Sequence, residues 1–184
     1  MFRRRDRGDG GAGGRTAGAV QAAQEQLQRI AVSGDPRRVE SGLIEQLRID
    51  AAFDVVALAW NLAQVGDAVL TSAVWDHAAQ TRPLFDEQFW EERWGEVELE
   101  RLSGWRIEVT ERLQPVVSVH AVELGAITVQ VQATYARRVF DARGTQIEGD
   151  HVPRPHVDRI AAERPEWGKT PSEAWTVVWV LAIS

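Results

Sequence analysis

Few side chains in this 184-residue sequence combine a type and a spacing suited to chemistry. Asp76–His77, His120 and Tyr135 are the acid–base candidates, because a general acid or base needs a titratable group held beside the reacting atom. Asp76 and His77 are neighbours and point about 100° apart on a helix, so they form no dyad by themselves. His120 shares its expected strand face with Val116, Ser118, Val122 and Leu124, which makes it either a hydrogen-bonded core histidine or a histidine facing a cavity. His151 and His156, with Asp150 and Asp158 nearby, come closest to metal-ligand spacing. They flank Pro153 and Pro155 in extended chain that sets no ligand geometry, and no second cluster completes a site, so no metal is expected. Cysteine is absent, which excludes thiolate chemistry, disulfides and Cys-ligated zinc. Gly10 to Gly14 precedes no strand and therefore reads as no phosphate loop. The expectation is a chain with no catalytic residue and no cofactor.

The aromatic residues offer a second kind of site. Eight tryptophans are many for this length, and most stand in patterned segments. Trp60, Phe89, Trp105, Tyr135, Trp175 and Trp179, with His120, either fill a core or line a pocket for an acyl chain, an apolar small molecule or a partner segment.

The elements that must position these residues are helical first and extended afterwards. Thr16 caps an expected helix over Ala17 to Ile30, with Val20, Ala23, Leu27 and Ile30 as a narrow apolar stripe. Asp35 and Pro36 restart the chain as N-cap and first helical residue of a helix reaching about Leu47. Asp50 or Asp54 precedes a strongly apolar helix ending at Gly66-Asp67, and Pro83 opens an aromatic and acidic helix that Gly104 stops. The period then becomes two. Trp105 to Arg112, Val116 to Leu124, Ile127 to Phe140, a returning strand at Thr145 to Glu148, and Glu173 to Ile183 read as strands, with Gly125 and Gly144 at turns. His151 to Ser172, with four prolines, reads as a long connection holding a short helix over His156 to Arg164. The division is therefore a flexible basic arm at 1–15, a helical extension at 16–50 and an α+β domain at 51–184 with a Pro-rich loop at 151–172. N-terminal helices cover one face of a curved antiparallel sheet of about four strands.

Charge is unevenly placed. Five arginines against two aspartates give residues 1–16 an excess of three positive charges, leaving −9 on the rest of a chain whose total is −6. So acidic a body is unsuited to nucleic acid, whose phosphates need a basic surface. No run of 18 apolar residues exists, so no spanning helix is expected. Phe2, Arg3, Arg4, Arg5 and Arg7 form an arm suited to contact with anionic lipid or an acidic partner.

The helical first half ending in FDEQFWEERWGEVELERL, the strand and turn ITVQVQATYARRVFDARGTQIEGD and the closing EAWTVVWVLAI resemble the Tim-forty-four-like domain over about Ala51 to Ser184. The resemblance implies the cone-shaped α+β barrel of the nuclear transport factor two-like superfamily. It also implies a bacterial, cytoplasmic, non-catalytic scaffold that binds a protein partner, can oligomerise, and touches the inner membrane peripherally. Two other functions fit the same fold: a binder or cavity enzyme for a small apolar ligand, with His120 and Tyr135 as its polar groups, and a structural subunit of a larger assembly. The helix around Trp90 and Trp94 suggests the latter.

Overall fold

A computed structural model describes residues 10–70, 85, 87–110, 113–164 and 175–183. The order is α1 (Gly10–Leu27), β1 (Ala31–Val32), α2 (Pro36–Ile49), α3 (Val55–Leu70), α4 (Glu87–Leu102), β2 (Arg106–Thr110), β3 (Val116–Glu123), β4 (Ala126–Phe140), β5 (Gln146–Gly149), β6 (Arg154–Glu163) and β7 (Thr176–Ile183).

The helix starts follow capping chemistry. Asp35 Oδ1 accepts from the Arg37 and Arg38 amides at 2.9 and 3.3 Å, with Pro36 at the first helical position. Asp54 Oδ1 does the same for Val56 and Ala57, at 2.9 and 3.0 Å. Gly104, with φ 71°, follows α4, as its freedom at positive φ allows. Two boundaries differ from the sequence reading. α1 begins at Gly10, inside the expected arm, and nothing in its glycine-rich first turn explains that start. α3 runs through Gly66-Asp67 to Leu70, a glycine inside a helix being tolerated where the helix is otherwise apolar.

β4 is the axis of the sheet. β3 and β6 flank its residues 126–135, and β2 and β5 flank its residues 136–140, all antiparallel. β2 and β3 thus lie end to end along one edge of β4, and β5 and β6 along the other. The sheet thus has four long runs: β4 and β7 are continuous, and the two beside β4 are each cut into two shorter strands. β1 adds a parallel pair on β3, which makes seven strands in the order β1-β3-β4-β6-β7, with β2 and β5 off that path.

The expected cone is overturned. The sheet does not close: β1 and β7 are its edges, and β6 separates β7 from β4. β6 also replaces the helix expected over His156 to Arg164 and occupies much of the expected loop at 151–172. Pro155 is compatible with this strand because β7 pairs only from Val157 onward, so the missing N–H costs no bond on that side.

Helices cover one face. Val117, Val119 and Val122 of β3, Ile127, Val129 and Val131 of β4, Ile160 and Ala162 of β6 and Val177 of β7 share a core with Val39, Leu43 and Leu47 of α2 and Val55, Ala59 and Leu62 of α3. Alternation places them on the same side of the sheet. Two polar residues of α2 complete the docking: Gln46 Oε1 accepts from the Gly125 amide at 3.2 Å, and Asp50, its C-cap, pairs with buried Arg164 at 3.2 Å. α2 lies so close to β3 that a Cβ on Gly42 would stand 1.8 Å from the Val122 carbonyl oxygen.

Candidate functional site

Both strands beside β4 are interrupted at the same level. β2 ends at Thr110 opposite Ala136 and β3 begins at Val116 opposite Gln132, while β5 ends at Gly149 opposite Arg138 and β6 begins at Arg154 opposite Tyr135. A cleft of about 380 Å³ opens there, lined by Tyr135, Arg137, Glu148, Gly149, Asp150, Val152, Arg154 and His156.

The register builds its floor. Ala133 faces His156 and Tyr135 faces Arg154, so Tyr135 and His156 are diagonal neighbours on the same side of the sheet. Their rings stack at 3.9 Å between centroids and 11° between planes. Ion pairs form the rim. Arg137 donates to Glu148 at 2.7 Å, and Arg154 pairs with Asp150. Gly149 has φ 79°, and a Cβ there would fall 1.9 Å from the Arg137 carbonyl oxygen, so only glycine fits this approach of backbone to backbone.

Two carboxyls titrate in opposite senses. A hydrogen bond from the Val152 amide, 2.9 Å, together with Arg154 holds Asp150 below the ordinary carboxylate range. Burial pushes Asp158 above it, partly offset by the charge of His156. Asp158 is only 3% exposed, stands two residues beyond His156 on the same side of β6, and its Oδ2 has no hydrogen-bond partner. Among the described residues no hydrogen bond joins it to His156, so the two do not form an acid–base relay.

On the opposite side of β4, Glu108 holds Arg106 at 2.9 Å and Arg138 at 2.7 Å. Both guanidinium groups lie over the Phe140 ring, 5.0 and 5.3 Å from its centroid, and Arg138 meets His151 at 3.2 Å. His151 and His156 therefore engage residues on opposite sides of β4. Among the described residues no group of three His, Asp or Glu side chains could hold a metal.

The seven residues expected to line an apolar pocket are spread over the surface, the margin of the core and the cleft. Trp60, Trp105 and Trp179 are 45%, 46% and 38% exposed. Phe89 stacks on Phe85 at 5.6 Å and Trp175 packs on Phe53 at 5.6 Å, both at the margin of the core. Of the seven only Tyr135 lines the cleft. A bulge between Val119 and Ala121 puts His120 out of step with Val122, which is why simple alternation misplaced it. Burial and the nearby Arg159 lower its pKa. Trp90 is buried against Phe85 rather than presented to an assembly. Asp76, His77, Phe2, Arg3, Arg4, Arg5 and Arg7 lie outside the described residues, as does the side chain of Trp94. Among the described residues no helix is long and apolar enough to cross a membrane. Sequence reading missed Glu148 and Arg154 and noted Asp150 only beside the dismissed metal spacing. Their signal was the charge at the end of β4 and the Glu-Gly-Asp run at the end of β5.

No protein-family model and no curated protein matches the chain.

Proposed function

We propose that the chain is a non-catalytic interaction module that seats an extended segment of a protein partner in the cleft beside Tyr135. The observation that carries this reading is the pairing of every charged side chain on the rim, Arg137 with Glu148 and Arg154 with Asp150. A balanced rim over an aromatic floor holds no net charge for an isolated ion. It suits backbone amides and neutral polar or aromatic side chains, which can stack and exchange hydrogen bonds. Val152 on the rim is exposed and adds apolar contact. In this reading the basic arm, Phe2 with Arg3, Arg4, Arg5 and Arg7, gives a second attachment to anionic lipid or an acidic surface.

Selection of displayed peptides on the full chain, followed by calorimetric titration, tests the cleft. Val152→Asp and Arg154→Glu are expected to weaken the selected peptide roughly tenfold or more, with melting temperature little changed. Peptides that bind both variants as well as the native chain would place the site elsewhere. Co-sedimentation with anionic vesicles tests the arm: binding should need the first 15 residues and fall with salt. Absence of binding at every salt concentration removes the membrane contact.

A further inference from the structure

The face of the sheet away from the described helices carries a second, independent feature. Ser118, Gln130, Arg159 and Leu181 form one cross-strand row on the side away from the helices, with Trp179 diagonal to Arg159. No residue of this row joins the core. Arg159 is half-buried, its Nε is shielded without a hydrogen-bond partner, and no ion pair reaches it among the described residues. Its described cross-strand neighbours on this face, Gln130, Trp179 and Leu181, are neutral. The nearest acid on its own strand face, Glu163, is four residues and about 13 Å away by strand rise. His120, at the bulge of β3, also has a shielded Nδ1 without a partner. Holding a cation half out of water without a counter-charge is unfavourable, in a chain where acids outnumber bases.

We propose that this face binds a small amphiphilic carboxylate, with the carboxylate on Arg159 beside His120 and the apolar body along Trp179 and Leu181. A lone guanidinium beside a neutral imidazole matches a single negative charge rather than a phosphate dianion, and the planar fork takes a carboxylate in two parallel bonds. Trp179 and Leu181 are exposed apolar groups beside that charge, and both stand on β7, so a short chain can lie over them while its head reaches Arg159. This site differs from the cleft, which lies on the helix-facing side.

The test is titration of the full chain with octanoate, octanol and inorganic phosphate, followed by tryptophan fluorescence and by amide chemical shifts. Octanoate should saturate, with shifts confined to β3, β6 and β7, and the other two probes should bind roughly tenfold or more weakly. Arg159→Gln should abolish octanoate saturation without lowering the melting temperature, Arg159→Lys should restore part of it, and Val152→Asp should leave it unchanged. Equal binding of octanol, tighter binding of phosphate, or full octanoate binding by Arg159→Gln would overturn the proposal. A fall in melting temperature in Arg159→Gln would also overturn it, because Arg159 would then have a structural partner.

Discussion

The two ends of β4 are built from different physics. Residues 127–133 place Ile127, Val129, Val131 and Ala133 on the helix side, and all are buried. Their stabilisation comes from apolar area removed from water and is insensitive to salt. Residues 136–140 place Arg137 and Arg138 on opposite sides, where Glu148 and Glu108 hold them. Ala136 and Val139 are buried at this end too, and to them are added hydrogen bonds and ion pairs nearer water, each worth little. Tyr135 stands at the boundary, buried yet lining the cleft. The contrast explains how one strand serves as scaffold and as site. The first end fixes position, and the second offers polar groups whose partners can be exchanged.

The largest test of this contrast removes buried volume at the first end. Ile160→Ala should cost about 2 to 5 kcal/mol in chemical denaturation, because Ile160 is fully buried opposite Val129. At the other end Gly149→Ala should cost about 1 to 3 kcal/mol and displace β5, since a Cβ cannot fit against the Arg137 carbonyl at positive φ. A cost near zero would show that β5 is not pinned there.

Asp158 supplies a pH-dependent test at the boundary. Its folded pKa is raised above the ordinary 3.8, so in the window just above that value the folded chain keeps a proton that the unfolded chain releases. Stability contributed by Asp158 is complete below that window and is lost as pH rises through the folded pKa. Asp158→Asn should therefore gain stability relative to the native chain as pH rises from about 4. Asp150 has the opposite sign, and its contribution is lost as pH falls through its lowered pKa. A stability difference between Asp158→Asn and the native chain that does not change with pH would contradict this assignment. The smallest effect belongs to Glu108→Gln, roughly 1 kcal/mol or less, and it should shrink as salt is added.

The sequence made the first end of β4 legible and the second only in part. Strict alternation from Ile127 to Tyr135, the Asp35-Pro36 cap and the turns at Gly125 and Gly144 are local signals, and the fold keeps them. β6 was hidden because Pro153 and Pro155 read as loop and because Asp158 breaks the apolar alternation with Ile160 and Ala162. Without β6, β7 has no partner between itself and β4, and the cone that the resemblance implied went unopposed. The cleft was hidden for the same reason: Arg154 and His156 meet Tyr135 only through the pairing of β4 with β6. The exposed tryptophans show the limit of composition, since Trp60 and Trp105 have the spacing of core residues yet face solvent.

Amide hydrogen exchange along β4, with and without a peptide selected on the full chain, tests the division most directly. Ile127 to Ala133 should exchange only through global unfolding, while Arg137 to Phe140 should open locally and become protected when the peptide binds. Uniform exchange along the whole strand, or peptide protection confined to Ile127 to Ala133, would contradict the account.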